Sequence, residues 1–448
     1  MNLLKRAYFY TVNRYRKTYY FPILNAAVVK QKLQHYYKSN SHFILLDSNN
    51  SESLYKDQNC IIAVGCVDEV KTTVGTAFED LELFRAAYQD WMFGYLSYDL
   101  KNELEDLQSA HTNHLNIYGV HFFIPEIVFE IQKDQLVAHS STLNQKQLKQ
   151  LLKEIFKTKI SHATIIQHRL LKAKDHKKEY LEKAQRFLDH IQRGDIYEAN
   201  FCTEFYTQDV QLDSLKAFET LNQISEPPFA VYARMNDLHV MCASPERYLK
   251  KEGTQIISQP IKGTARRSQH LIEDEALKID LYNDPKERSE NVMIVDLVRN
   301  DLSRTAVKGS VTVEELYGIY TFKQVHQMIS TITSQIDPKS SLEVIKSTFP
   351  MGSMTGAPKI SAMNIIEENE SFYRGLYSGS IGYFTPDGDF DFNVVIRSIL
   401  YNSSSGYVSY AVGSAITAAA IPEKEYEECL LKAKAMMQVL NEQGISFD

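Results

Sequence analysis

Apolar and polar positions along the chain sort it into short strand-like runs and longer helical ones. FILLDSN at 43–49 and IIAVGCV at 61–67 are nearly continuous apolar runs of strand length, which predicts buried strands. LNQKQLKQLLKEIFKTKI at 143–160 repeats its apolar residues at helical spacing and predicts an amphipathic helix. The stretch 168–175 is polar and without periodicity, and is expected to be a seam. A helix over 177–193 follows, stopped by Gly194. Beyond it, VYARM and HVMCAS (231–235 and 239–244) predict a hairpin across Asn236-Asp237. A second hairpin pairs SGSIGYFT with DFDFNVVIRSIL through the turn residues Pro386, Asp387 and Gly388. Long helices are expected at roughly 285–303, 356–370 and 422–443, the last with a buried stripe of Tyr426, Leu430, Ala433, Met437 and Leu440. Hairpins with helices between them predict α+β layers, not a βαβ nucleotide fold.

Composition removes several classes of function. Lys and Arg number 49 against 56 Asp and Glu, a net charge of −7, so a general nucleic-acid binder is not expected. The longest nearly apolar stretches, Cys60–Val67 and Ala411–Ile421, are too short to span a bilayer. The basic, aromatic start MNLLKRAYFYTVNRYRKTYY has no uninterrupted apolar core, so it is not a secretory signal, and a docked surface segment is expected. Five cysteines, odd in number and without C-x-x-C spacing, argue against a disulfide framework or a metal cluster and point to a reduced cytoplasm. There is no G-x-G-x-x-G or Walker A sequence. The length of 448 residues allows up to three domains at a typical ~150 residues each.

Four groups of residues could carry chemistry. Asp284, Pro285 and Glu287 read as N-cap, N1 and N3 of a helix, which puts Glu287 and Glu290 on one face at i,i+3. Glu425 and Glu428 repeat that spacing on the last helix. Two such pairs facing each other would suit a hard dication such as Mg²⁺, although on spacing alone capping by Glu287 and an i,i+4 pair of Glu428 with Lys432 are the stronger readings. Lys262, in Gln259-Pro260-Ile261-Lys262-Gly263-Thr264, could be a nucleophile if desolvation or a nearby cation lowered its pKa; an exposed lysine is the plainer alternative. Glu246, in Ser244-Pro245-Glu246-Arg247, could be a general acid if buried, or simply a surface charge beside Arg247. The run 350–359, with Gly352, Ser353 and a Pro at a helix start, is equally an anion nest or a structural turn, and Arg397 is a candidate to grip a carboxylate.

Together these stretches resemble the chorismate-utilising enzymes. The matching segments are GDIYEANF (194–201), SPER (244–247), PIKGT (260–264), DPKERSENVMIVDLVRNDLSR (284–304), PMGSMTGAPK (350–359), RGLYSGSIGY (374–383), VVIRS (394–398) and EKEYEECLLKA (423–433). They occur in order from about 180 to 435. The resemblance implies a layered α/β/β/α fold, with residues 1–170 as the variable N-terminal region and 171–448 as the chorismate-binding catalytic core. Lys262 places the chain with the aminodeoxychorismate synthase branch, which has Pro-Ile-Lys-Gly-Thr where anthranilate synthases have Pro-Ile-Ala-Gly-Thr.

That resemblance implies a mechanism. Mg²⁺ is held chiefly by Glu290 and Glu428, with Glu287 and Glu425 acting through water. Lys262 attacks C2 of chorismate as the C4 hydroxyl, protonated by Glu246, departs; ammonia then adds at C4 and displaces Lys262. Tyr377, Arg397 and Gly413 contact the enolpyruvyl carboxylate, Thr264, Gly352 and Ser353 line the pocket, and Lys432 joins the substrate-binding set. None of the cysteines lies in a Gly-x-Cys-x-Gly turn, so ammonia is expected from a separate glutamine amidotransferase subunit. Departures from the family are Glu198 for its Gln, Gln327 for its His, and Ser225-Glu226-Pro227-Pro228 with LLDS (45–48) at its tryptophan pocket. The rival readings are an anthranilate synthase, an isochorismate or salicylate synthase, and a non-catalytic chorismate-binding relative.

Overall fold

The structure, a computed structural model, describes residues 16–49, 51, 60–338 and 341–447. Among these, two largely antiparallel sheets of thirteen and ten strands stack face to face. The alternation of strand side chains shows how they are held. Phe43 and Leu45 point to one core and Ile44, between them, to the other, so the run 43–46 is apolar throughout because both of its faces are covered. The inter-sheet core contains Ile44, Val231 and Val240 from one sheet and Phe93, Phe122 and Phe392 from the other. Outside the first sheet lie the helices Ala26–Tyr37, Gln145–Lys157, Lys177–Arg193, Ser214–Ser225 and Pro422–Asn441, which contribute Leu33, Leu148, Phe187, Phe218 and Ala433 to the second core. Ala77–Ala87 and Pro285–Ser303 flank the second sheet through Phe78, Leu81, Ile294 and Val295. The order of layers is α/β/β/α. Strands from either side of residue 170 share both sheets: His42–Asp47 pairs with Phe229–Met235, and Met92–Leu96 with Ser380–Phe384.

Local signals explain most element ends. The Asp284 carboxylate accepts from the Lys286 and Glu287 backbone N–H groups at 2.8 and 3.1 Å, capping Pro285–Ser303. Gly194 closes Lys177–Arg193 at φ 84°, a left-handed conformation that suits a residue without Cβ.

Three expectations are corrected. The presumed seam at 168–175 contains a strand, Arg169–Ala173, which pairs with Phe205-Tyr206 and with Ile445–Phe447; most of its side chains are exposed or half-buried, so no buried face marked it in the sequence. DFDFNVVIRSIL is not one strand. Phe390–Asn393 lies in the second sheet and Ser398–Asn402 in the first, and the chain crosses between sheets over 394–397 with Arg397 at φ 51°. Val394 and Val395 are fully buried during that crossing, which disguised it as strand. The last helix buries Cys429, Met436 and Val439, while Leu430 and Met437 are only partly covered. The basic N-terminal start lies outside the described residues up to Tyr15; Lys17–Pro22 is a strand at the sheet edge.

Candidate active site

The site forms where the chain passes from one sheet to the other. Leu238–Ser244 belongs to the first sheet and Arg247–Glu252 to the second, and Glu246 lies at the transition. The second transition, 394–397, runs beside it: the Val394 N–H donates to the Glu246 carbonyl at 3.0 Å and the Ala243 N–H to the Arg397 carbonyl at 3.1 Å. Glu246 and Arg397, 151 positions apart, are thereby neighbours. Glu246 is 5% exposed, and burial pushes its carboxyl up to about 7 against the Ser353 hydroxyl, Lys262 and Arg397. Burial also lowers the Arg397 pKa, with Glu246 opposing. Its guanidinium has no hydrogen-bond or ion-pair partner among the described residues. A cation left without a partner in such a place is suited to a ligand carboxylate.

Lys262 is on strand Ile261–Arg266 of the second sheet, under the helix Pro285–Ser303. Asn291 of that helix donates to the Lys262 carbonyl at 3.4 Å and accepts from Ser330 Oγ at 2.5 Å. Gly263, at φ 98°, bulges the strand, and a Cβ there would meet Glu287 Oε2 at 3.1 Å. The Lys262 ammonium pairs with Glu198, which comes from the opposite sheet. Sequence reasoning expected a catalytic lysine with a lowered pKa. Burial does act downward, but Glu198, Glu290 and Glu246 outweigh it, and the Lys262 pKa is raised. Glu198 was visible in the sequence only as a departure from its family; its position opposite Lys262 depends on the stacking of two sheets.

Strand Glu198–Thr207 forms the other wall. Cys202 is in register with Gly413, where an added Cβ would meet Cys202 Sγ at 2.4 Å, so the two strands approach closely only because Gly413 lacks one. The Tyr377 hydroxyl donates to the same sulfur at 3.6 Å, so Tyr377 and Gly413 meet at Cys202. Arg374, unremarked in the sequence, fastens this wall. Its guanidinium donates to both Glu370 oxygens, to the Met354 and Asn200 carbonyls, and lies 4.5 Å over the Tyr98 ring. Arg374→Ala leaves Glu370 buried and unpaired, and a loss of about 3–5 kcal/mol of unfolding free energy is expected in a denaturant titration; a midpoint equal to wild type would show that the network is dispensable.

The remaining expected residues are placed as follows. Gly352 and Ser353 form a turn against Pro285–Ser303, where a Cβ on Gly352 would meet Leu297 at 2.6 Å. Thr264 lies just past the bulge, paired with Gln327, and is exposed. Lys432 donates to the Gly413 carbonyl at 2.8 Å and pairs with Glu428 at 2.7 Å, tying the last helix to the strand of Gly413. His326 is held by Asp274 and Thr321 at 3.0 Å each and is structural. Leu46, Asp47, Ser48 and Pro228, from the segments that differ at the family's tryptophan pocket, line a separate cleft of about 110 Å³.

The four glutamates expected to hold a metal gather around Lys286, whose ammonium they stabilise against burial. Burial raises Glu290 to about 7, and raises Glu287 and Glu425 as well. For Glu428 burial also acts upward, but the Lys432 ammonium outweighs it and holds the carboxyl down. Glu425 is buried and accepts from Ser414 Oγ at 2.8 Å, whereas Glu428 is half exposed. Such half-buried, incompletely neutralised oxygen donors fit a hard dication. No three of these four carboxylates bring their oxygens within 4.8 Å of one another.

A domain with this α/β/β/α layering and this pocket defines a class, and the chain belongs to the chorismate binding enzyme family, whose profile matches residues 41–438. Its fold is that of anthranilate synthase component I from Streptococcus pneumoniae (TM-score 0.74, 24% identity, covering 86% of this chain and 93% of that one) and of the menaquinone-specific isochorismate synthase from Escherichia coli (TM-score 0.74, 15% identity, 98% of each). Among curated relatives, aminodeoxychorismate synthase component 1 of Bacillus subtilis is 30% identical over 79% of this chain and 77% of that protein. A probable chloroplastic aminodeoxychorismate synthase of rice is 40% identical over 59% of this chain; the match spans only 30% of the rice protein. Anthranilate synthase component 1 of Aquifex aeolicus is 29% identical over 78% and 74%.

Proposed function

We propose that this chain is the chorismate-aminating component of an aminodeoxychorismate synthase, converting chorismate and ammonia to 4-amino-4-deoxychorismate for p-aminobenzoate and folate synthesis. The observation that carries the reading is Lys262 on the pocket wall, with the buried acid Glu246 and the unpartnered guanidinium of Arg397 beside it. The relatives named aminodeoxychorismate synthase support it at 30–40% identity.

Arg397 receives a substrate carboxylate, and the Gly413 strand fixes the depth of the pocket. Lys262 gives its proton to Glu198 and its nitrogen bonds to C2. Both ring double bonds shift by one position, the C4–O bond breaks, and the hydroxyl leaves as water with the Glu246 proton. Ammonia then forms the C4–N bond while the Lys262 nitrogen departs from C2 and recovers a proton. Glu290 and Glu428, supported by Glu287 and Glu425, would hold Mg²⁺, which when bound neutralises the ring carboxylate. Ammonia comes from a separate glutamine amidotransferase subunit, and the work is done in the cytoplasm; the five free cysteines are consistent with a reducing compartment.

Glu246 acts in its protonated form. With its pKa near 7, kcat should fall as pH rises through about 7. Glu246→Gln should lose about 10²–10⁴-fold in kcat and abolish that limb; an unchanged limb in the variant would assign it to another group. The whole reading is tested by incubating the purified chain with chorismate, Mg²⁺ and ammonium and identifying the product by mass. Aminodeoxychorismate is expected. Anthranilate with pyruvate, or isochorismate, would overturn it, and no turnover even with a glutaminase would point to a binding protein.

A further inference from the structure

Outside this pocket, four metal-ligating side chains from distant parts of the sequence converge. His42 begins a strand of the first sheet, Cys66 follows the Gly65 turn, and Glu69 and His121 lie on the adjacent strands Asp68–Thr72 and Val120–Ile124 of the second sheet. Glu69 Oε2 is 2.9 Å from His42 Nε2 and 2.8 Å from His121 Nε2. A His42 ring nitrogen, Cys66 Sγ and a Glu69 oxygen all lie within 4.8 Å of one another. Both imidazoles are buried, at 5% and 3% side-chain exposure, while Cys66 and Glu69 are half-buried. From these contacts we infer that His42, Cys66 and Glu69 form a three-residue binding site for a tetrahedral transition-metal ion of the Zn²⁺ class, its fourth position left to solvent and Glu69 positioned by His121, distinct from the acidic Mg²⁺ pocket.

Donor chemistry separates the two sites. An imidazole, a thiol and a carboxylate make the nitrogen, sulfur and oxygen set that Zn²⁺ takes, with water completing the tetrahedron, whereas Mg²⁺ takes oxygen. Supporting contacts orient the ligands as metal sites require. Ser41 Oγ is 3.2 Å from His42 Nδ1, leaving Nε2 for the ion, and Lys71 holds the other Glu69 oxygen at 2.8 Å. The rings of Phe123, Tyr95 and Tyr118 pack around the imidazoles at 5.0–6.1 Å and limit water. A hydrogen-bonded His–Glu–His cluster is the alternative, but it gives Cys66 no part. Binding would release the thiol proton to solvent and tie the first sheet to the second through the ion.

The decisive experiment uses the full chain, freed of metal by chelation and reloaded with Zn²⁺ or Co²⁺. One Zn²⁺ per chain by elemental analysis is expected. The Co²⁺ form should show tetrahedral ligand-field bands with a thiolate-to-cobalt charge-transfer band, read on wild-type protein so that no variant need fold. Among variants that keep the wild-type circular dichroism, Cys66→Ser should lose the charge-transfer band and His42→Gln should fall to near-zero zinc. Glu428→Gln should retain zinc. Substoichiometric zinc with a six-coordinate Co²⁺ spectrum, a charge-transfer band that survives Cys66→Ser, or zinc lost from Glu428→Gln alone would each overturn the site. Occupancy is read without an activity assay, so it stands or fails separately from the proposed reaction.

Discussion

Lys262→Ala is expected to reduce kcat by at least about 10³-fold, equivalent to about 4 kcal/mol of barrier, because it removes the proposed nucleophile rather than a binding contact. The companion change is Glu198→Gln. In the wild-type enzyme the ion pair and its neutral form differ only by a proton moving between Lys262 and Glu198, so that transfer consumes no hydroxide. With glutamine at 198 the proton must go to solvent, so kcat should climb about tenfold per pH unit below about 7 and level off above it, where loss of the Glu246 proton offsets the gain. Steady-state rates across pH measure both. A Lys262→Ala enzyme within tenfold of wild type would remove covalent catalysis, and a Glu198→Gln profile parallel to wild type would remove the proton acceptor.

Arg397→Ala should act mainly on substrate binding. Among the described residues the guanidinium has no hydrogen-bond or ion-pair partner to release, so its removal costs the full charge-assisted contact with the substrate carboxylate, about 2–5 kcal/mol when the pair is buried. That appears as a KM raised by more than about tenfold, 1.4 kcal/mol per decade. Arg397→Lys restores charge but not the planar fork, and should recover only part of the loss. A KM unchanged in Arg397→Ala would place the carboxylate elsewhere.

The parts of the molecule legible in sequence are those governed by near neighbours. The Asp284 cap, the stop at Gly194 and the hairpin around Asn236 follow from backbone rules acting over a few residues. Matching segments also brought out Lys262, Glu246 and the paired glutamates. What periodicity could not reveal is where the chain changes sheets. Val394 and Val395 are as apolar as strand residues because the crossing is buried in the core, yet that crossing puts Arg397 beside Glu246. Glu198 opposite Lys262, Arg374 behind Asn200, and the His42–Cys66–Glu69–His121 cluster are likewise products of stacking two sheets. The proposed zinc ligands His42, Cys66 and Glu69 are 24 and 3 positions apart, a pattern with no local signature.

Trapping is the most direct measurement. The enzyme is mixed with chorismate and Mg²⁺ without ammonia, quenched, and analysed by intact mass and peptide mapping. The expected result is an adduct with the mass of chorismate less one water, on the peptide carrying Lys262, discharged by added ammonium and missing from Lys262→Ala. An adduct that persists in Lys262→Ala, or maps to another residue, would contradict the role of Lys262.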